Sequence, residues 1–196
     1  MTYTGCRPLT ENETERILNG CQGRYRARDV ALIVTGIYTG YRLQELLSIR
    51  VGQVWAGKEV AHEVQVTKGY MKGKKRGRTM PLHQKVRDAL HSLIQSTQMW
   101  HPLYRDWPLF RSQNRPKALS TRQGFDIIVN AAKTAGLDTK RLGSHSLRKT
   151  FAARLWKSEL IHRDMSLMAH ALGHSNFSNT LRYLEFANEL EAAILA

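Results

Sequence analysis

Apolar residues recur along most of this chain at the spacing of amphipathic helices. Thr10 and Glu13 form a capping-box pattern ahead of Ile17 and Leu18, which predicts a short first helix. Residues 26–38 are apolar almost all round in their second half, as expected for a helix buried at the centre of a domain. The first part of the chain therefore predicts helices packed around a central one.

The hydrophobic pattern changes between residues 51 and 81. Val60, Val64 and Val66 alternate with polar or smaller neighbours, which predicts a strand, and residues 79–82 predict its return. A stretch rich in Lys and Gly separates the two segments. We therefore expect a small antiparallel sheet with this basic stretch at its tip.

The rest of the chain has helical spacing, apart from an aromatic, proline-punctuated loop at residues 99–110. A short helix is also expected just after the Gly-containing turn TGYR, with leucines facing inward. The further predicted helices are 83–98, 120–135, 144–156, 163–172 and, at the end of the chain, 188–195. The predicted fold class is α+β, mostly helical with a small antiparallel sheet.

Length and composition are those of an ordinary globular protein. The 196 residues suit one domain, or one domain with a small appendage. No apolar run is long enough to span a bilayer and the first residues lack a signal-peptide pattern, so we expect a cytoplasmic protein without a membrane partner. Cys6 and Cys21 are too few for a disulfide scaffold and lack metal-ligand spacing, so both are interpreted as reduced thiols.

The charge balance points to a polyanionic partner. The chain has 30 Lys and Arg against 16 Asp and Glu, a formal net charge of +14. Such a surface concentrates a polyanion and releases its counterions on binding, which makes nucleic acid the leading partner. A basic but unspecialised protein and an anionic membrane are the alternatives. The membrane is disfavoured because no polybasic amphipathic helix with an apolar face is evident.

Four residues in the last third of the chain have the chemistry of a phosphoryl-transfer site acting on DNA. His145 and Arg148 lie three apart, His174 follows, and Tyr183 lies nine residues further on. A tyrosine with a pKa of about 10 is a poor nucleophile, so one that attacks phosphate needs cationic and imidazole donors. Each element alone has a simpler explanation, since HxxR recurs by chance and histidines also occur in helix-packed cores. Order and spacing together carry the hypothesis.

With Arg42 and Glu45 added, the pattern resembles the catalytic domain of the tyrosine recombinases, the phage integrase family. The three matching motifs are TGYRLQEL, HSLR and LGHSNFSNTLRY. The resemblance covers nearly the whole chain and implies an enzyme, a tyrosine-type DNA strand transferase of the kind carried by mobile elements.

The resemblance also implies roles for these residues. Tyr183 would attack the scissile phosphate to give a 3′-phosphotyrosyl DNA, without metal or any other cofactor. Arg42 and Arg148 would fork onto the non-bridging oxygens of the phosphate. His145 and His174 would donate to the same phosphate or handle the tyrosine proton. Glu45 would orient an arginine or a histidine by a hydrogen bond.

The general acid in this family is a lysine on the hairpin loop, and the sequence leaves its identity open. Related hairpins place it about eight residues before the proline of the returning strand, and counting back from Pro81 lands on Gly73. A loop longer by one residue makes Lys72 the acid, the preferred choice, with Lys74 and then Lys68 as alternatives. The remaining cations of the stretch are expected to form a solvated, DNA-binding patch, namely Lys75, Arg76 and Arg78.

The resemblance implies that residues 1–196 form the catalytic domain, without the N-terminal core-binding domain that most members carry. The chain is then either an excised domain or a minimal recombinase similar to the fimbrial inversion enzymes. The apolar stripe of the last helix, with Leu190 and Ile194, implies docking on a neighbouring protomer within a homo-tetramer on DNA. Folding back onto its own core is the alternative. Accessory DNA-bending proteins and association with the nucleoid are further expectations.

Site-specific recombination or integration on double-stranded DNA is the leading functional hypothesis. The nearest enzymatic rival is a DNA-relaxing enzyme like the type IB topoisomerases, which shares the chemistry but needs only one nick and swivel. A rival from another class is a non-catalytic DNA-binding protein that uses the basic face alone. Such a protein would have no reason to hold all the phosphate-handling residues together.

Overall fold

The computed structural model of the protein describes residues 5–66, 77–99, 104–112, 117–158 and 164–173. Within these ranges the chain is mostly helical with one two-stranded antiparallel sheet, which confirms the predicted α+β class. The elements in chain order are α1 (Glu11–Asn19), α2 (Arg26–Thr39), α3 (Leu43–Leu47), α4 (Val51–Val54), β1 (Glu63–Val66), β2 (Arg78–Pro81), α5 (Gln84–Gln98), α6 (Thr121–Thr134), α7 (Ser144–Lys157) and α8 (Met165–Leu172). The predicted helix 188–195 lies outside the described residues.

Helix α2 lies at the centre of the domain, as its sequence predicts. Leu32 and Val34 pack into one apolar core with α5 and the hairpin, whereas Ile33 and Ile37 pack into a second core with α1 and α6. Each such side chain is buried almost completely, and burial of an aliphatic side chain contributes about 1.5–3 kcal/mol. The C-terminal end of α2 is therefore a fixed point from which the following turn starts.

The hairpin of β1 and β2 presents one face to this core. Its register pairs Val64 with Met80 and Val66 with Arg78, and these four side chains are buried while their neighbours are exposed. The returning strand begins at Arg78, one residue before the predicted start. The first strand begins at Glu63, whereas Val60 forms only an isolated bridge.

Tyr41 ties the turn after α2 to both strands of the hairpin. Its hydroxyl oxygen lies 2.6 Å from the carbonyl oxygen of Arg78 and 3.0 Å from that of Val64, and the one phenolic proton is shared between them. Burial raises the pKa of Tyr41 to about 12, so the phenol stays a protonated donor. Tyr41 is thus a core residue that fixes the distance between the turn and the sheet.

Two glycines allow α7 to lie close to the C-terminal half of α2. A Cβ on Gly36 would lie 2.7 Å from Leu147 Cδ1, so the bare backbone lets Leu147 pack directly on α2. Gly40 ends α2 in the left-handed region, with φ of 60°, and a Cβ there would lie 2.3 Å from Phe151 Cδ1. This close approach brings Arg148 to the end of α2.

Two helices depart from the predicted pattern. Helix α4 is absent from the sequence prediction, because no local pattern marks its four residues. It is held instead by a loop distant in the chain. The Val51 N–H donates to the Trp107 carbonyl at 2.9 Å, and the Gly52 N–H donates to the Arg105 carbonyl at 2.8 Å. Helix α8 begins after Asp164, whose side chain caps it, and ends at Leu172 with Gly173 as its C-cap. Among the described residues, no helix has both the length and the apolar character required to cross a bilayer.

Candidate active site

Arg42 and Glu45 form a locked pair at the start of α3. Arg42 precedes the helix with extended backbone, and Glu45 reaches back to it from the first turn. The backbone N–H of Arg42 donates to Glu45 Oε2 at 2.8 Å, and its Nη1 donates to Glu45 Oε1 at 3.0 Å. The Glu45 side chain is only 2% exposed whereas that of Arg42 is 37% exposed. A buried carboxylate therefore aims a partly exposed guanidinium.

Arg78 approaches the same carboxylate from the opposite side. Its Nη2 lies 3.7 Å from Glu45 Oε2, and its Cζ lies 4.2 Å from the centre of the Tyr41 ring. Its other contacts are with main-chain carbonyls: Nη1 donates to Ala171 O at 2.6 Å and Nη2 to Thr39 O at 3.3 Å. Arg78 is only 9% exposed, so its predicted place in a solvated DNA-binding patch is corrected. The guanidinium faces the protein interior because β2 begins at this residue and turns it inward.

Arg148 joins the same two helix ends from α7. Its Nη1 donates to the carbonyl oxygen of Gly40 and its Nη2 to that of Leu172, and the residue is only 1% exposed. The last carbonyls of a helix have no partner within it and carry the negative end of the helix dipole, so a guanidinium suits them. Arg78 and Arg148 thus bridge the C-terminal ends of α2 and α8 side by side.

His145 lies near the N-terminal end of α7, one turn before Arg148, and keeps an exposed edge. Desolvation lowers its pKa from the ordinary 6.5, and the positive charges of Arg148, Arg42 and Lys149 lower it further. The imidazole is therefore mostly neutral at pH 7 in the free protein. A neutral ring can donate one hydrogen bond and accept another.

Arg42, His145 and Arg148 line one cleft of about 470 Å³, which passes between the start of α3, α6 and the start of α7. Its lining includes Arg42, Arg122, Phe125, Ser144, His145 and Arg148. Three guanidinium groups and an imidazole around a concave surface provide the donors that an anionic phosphate requires.

The structure brings part of the predicted site together. Arg42, His145 and Arg148 line the cleft, and Glu45 lies behind Arg42. The predicted nucleophile and second histidine, Tyr183 and His174, lie outside the described residues. The basic stretch of the hairpin lies outside them too, namely Lys68, Lys72, Lys74, Lys75 and Arg76.

Two features of the site were missed by the sequence analysis. Arg122 and Phe125 form the α6 wall of the cleft, and no motif marks them. The inward position of Arg78 had a signal, because it shares the alternation of Met80 and Leu82, all three of which are buried. Extending the predicted strand by one residue would have placed Arg78 on the core face.

Comparisons with known proteins match nearly the whole chain to one family. The model of the phage integrase family matches residues 7–189. The chain is 28% identical over 192 residues to the tyrosine recombinase XerD of Caulobacter vibrioides, covering 95% of this chain and 60% of XerD. It therefore spans about three-fifths of the length of that curated relative.

Two solved structures share the fold. XerA recombinase has a TM-score of 0.73 and 24% identity, covering 93% of this chain and 61% of that chain. The post-cleavage complex of XerH site-specific recombinase with palindromic difH substrate has a TM-score of 0.72 and 25% identity, covering 96% of this chain and 52% of that chain. These likenesses confirm the predicted fold.

The lowered pKa of His145 yields a direct test of the cleft's electrostatics. We expect Arg42→Gln to raise the His145 pKa, because a removed positive charge no longer opposes the imidazolium. Titration of the His145 Cε1–H resonance by NMR measures this. Arg122→Gln is the matched control, since Arg122 also lines the cleft but is exposed and paired with Asp126. A His145 pKa in Arg42→Gln at or below its pKa in the unsubstituted protein would contradict the arrangement.

Proposed function

Because the chain belongs to the phage integrase family, we propose that it is a site-specific DNA recombinase or integrase that cleaves and rejoins DNA through a 3′-phosphotyrosyl intermediate. The observation that carries the proposal is the cleft in which Arg42, His145 and Arg148 converge. The formal charge of +14 supports a DNA substrate, as does the solved complex of XerH with its difH substrate.

In this reaction the chain supplies a nucleophile and donors for charge. Tyr183 attacks the scissile phosphate in line and forms a phosphotyrosyl bond as the 5′-oxygen leaves. Arg42 and Arg148 stabilise the non-bridging oxygens, and His145 donates to the phosphate or takes the tyrosine proton. Glu45 keeps the Arg42 guanidinium aimed at the cleft through the bond of 3.0 Å. The bond energy of the phosphodiester is retained, so rejoining needs no cofactor.

The position of α8 supports a role for His174 in the same site. The carbonyl of Leu172 accepts from Arg148, and His174 follows two residues later in the chain. Two residues span at most about 7 Å, and this short distance along the chain from Leu172 supports the proposal. His174 thus joins His145 as a second imidazole at the phosphate.

Assembly and further partners are part of the proposal. The apolar stripe that contains Leu190 and Ile194 docks on a neighbouring protomer, and four copies exchange strands on paired DNA sites. Accessory proteins that bend the DNA assist this assembly, which takes place at the nucleoid. Exchange requires that each active site act on one strand at a time, and a shared C-terminal segment couples neighbouring sites.

Removal of the nucleophile tests the covalent step. We expect Tyr183→Phe to abolish the protein–DNA adduct on a suicide substrate nicked near the cleavage point, because phenylalanine has no attacking oxygen. Denaturing gel electrophoresis measures the adduct. Tyr104→Phe is a control, since Tyr104 is exposed and outside the cleft. An equal adduct in Tyr183→Phe would refute the assigned nucleophile.

The general acid is assigned by chemical rescue. We expect Lys72→Ala to slow cleavage of ordinary DNA by about 10²–10⁴-fold, the typical contribution of a positioned acid. A 5′-bridging phosphorothiolate should restore the rate, because a thiolate with a pKa of about 8.5 leaves without a proton. Lys74→Ala and Lys68→Ala are the matched controls and should show neither effect. Rescue of Lys74→Ala instead would move the acid to that residue.

Truncation tests the assembly. We expect deletion of residues 187–196 to reduce tetramer formation on DNA and recombination of paired sites, while adduct formation at a single site persists. Native gel shifts and a two-site recombination assay measure the two properties on the same preparation. Unchanged assembly and recombination would refute the docking of this helix on a neighbouring protomer.

A further inference from the structure

We propose that Arg78 is a positioning residue for strand cleavage, because its guanidinium holds the Glu45 carboxylate in place behind Arg42. The same guanidinium holds the C-terminal end of α8, from which the chain leads to His174. This inference rests on the proposed function. It concerns how the hydrogen-bond donors of the cleft are held in position. Arg78 itself is not part of the cleft lining.

The contacts of Arg78 join its own strand to three other segments. It belongs to β2, reaches Glu45 at 3.7 Å in α3, and donates to Ala171 at 2.6 Å in α8. A further bond of 3.3 Å reaches Thr39, at the end of α2. In the chain, α2 leads to the first arginine, α8 leads to the second histidine, and β2 follows the basic hairpin stretch. One side chain therefore contacts the segments that lead to Arg42 and to His174.

Stability alone gives a poor account of a guanidinium in this place. Desolvation is the largest influence on the Arg78 pKa and lowers it, while the charge of Glu45 raises it. Burial of the cation therefore carries a cost that the ion pair offsets only in part, and apolar residues of similar volume often replace buried ion pairs without loss. The arrangement fits a requirement for directed hydrogen bonds.

The shape of arginine matters for this role. Its planar fork points donors at fixed angles, so Glu45, Thr39 and Ala171 are held in one geometry. A lysine carries all its donors on a single nitrogen at the end of a flexible stem, so it cannot reproduce bonds that Arg78 makes from two separate nitrogens. Substitution by lysine thus keeps the charge and removes the geometry.

The carboxylate gives the route to Arg42. Glu45 Oε2 accepts from the Arg42 N–H and faces Arg78, while Glu45 Oε1 accepts from Arg42 Nη1. Without Arg78, one side of a nearly buried carboxylate loses its cation, and the carboxylate can rotate. The aim of the Arg42 guanidinium then changes, although Arg42 itself is intact.

The first experiment measures cleavage with a nicked suicide substrate in excess over the enzyme, so that each enzyme molecule reacts only once. The rate constant at saturation is independent of the folded fraction of the protein, whereas the amplitude reports that fraction. We expect Arg78→Met to lower the rate constant by at least about tenfold, because displacement of catalytic groups by about 1 Å costs up to about 10²-fold. The half-saturating DNA concentration should change by less than about threefold, as for a loss confined to the transition state.

Arg28 provides a matched control elsewhere on α2. It too has a largely buried side chain, with an ion pair of 2.8 Å to Asp29, a bond of 3.0 Å to the Arg111 carbonyl and a cation–π contact with Tyr25. It lies eleven residues before Thr39, about 16 Å along the helix. Arg28→Met should reduce the folded fraction to a similar degree and leave the rate constant unchanged. The rate constant of Arg78→Lys should lie between those of Arg78→Met and the unsubstituted protein.

A double substitution identifies the route. If Arg78 acts through Glu45, then Arg78→Met combined with Glu45→Gln lowers the rate constant by less than the product of the two separate reductions. The two separate reductions should multiply only if the two residues act independently. A multiplicative result would overturn the route through Glu45.

Amide hydrogen exchange provides a readout that needs no cleavage. We expect Arg78→Met to accelerate exchange at the Arg42 amide, which donates to Glu45, and across α8, which loses its bond at Ala171. Arg28→Met should accelerate neither. This readout separates two failures: absence of any adduct with the unsubstituted protein refutes the proposed function, whereas unchanged exchange refutes the positioning role. An unchanged rate constant in Arg78→Met refutes the positioning role too.

Discussion

Two buried arginines hold this domain's active-site elements together by their bonds to the ends of two helices. Arg78 and Arg148 each donate to one carbonyl at the end of α2 and to one at the end of α8. These carbonyls have no partners inside their helices, and hydrogen bonds to charged groups contribute about 1.5–3 kcal/mol each. Loss of either arginine would leave two acceptors to find other partners. The relative position of the segments that converge on the cleft depends on this paired bridge.

The packing around α2 explains why the bridge can form. Gly36 admits Leu147 and Gly40 admits Phe151, so α7 lies against α2 closely enough for Arg148 to reach the end of that helix. On the other side, the Tyr41 hydroxyl fixes the hairpin and with it Arg78. Uncharged packing contacts thus set the distances of α7 and the hairpin from α2. The two guanidinium groups then donate to the main-chain carbonyls at the helix ends that this packing brings close.

The sequence predicted elements well where the signal is local. The capping box of Thr10 and Glu13 and the apolar pattern of α2 and α5 are confirmed, because caps and periodic burial depend on residues a few positions apart. Arg42 and Glu45 were found by their spacing, yet no local signal marks the contact of Glu45 with Arg78, which lies 33 residues further along the chain. The same limit applies to α4, which is held by the loop at Trp107, and to Phe125 on the cleft wall.

The bridge has a consequence for how the sequence can vary. Its acceptors are main-chain oxygens, which every residue carries, so the side chains at Thr39, Ala171 and Leu172 can change without removing a bonding partner. Correlated substitutions between these positions and the arginines are therefore not needed, and coevolution would not reveal the contact. A change in helix length is a different matter. One residue inserted into α8 would turn its end by about 100° and carry the carbonyls away from both arginines.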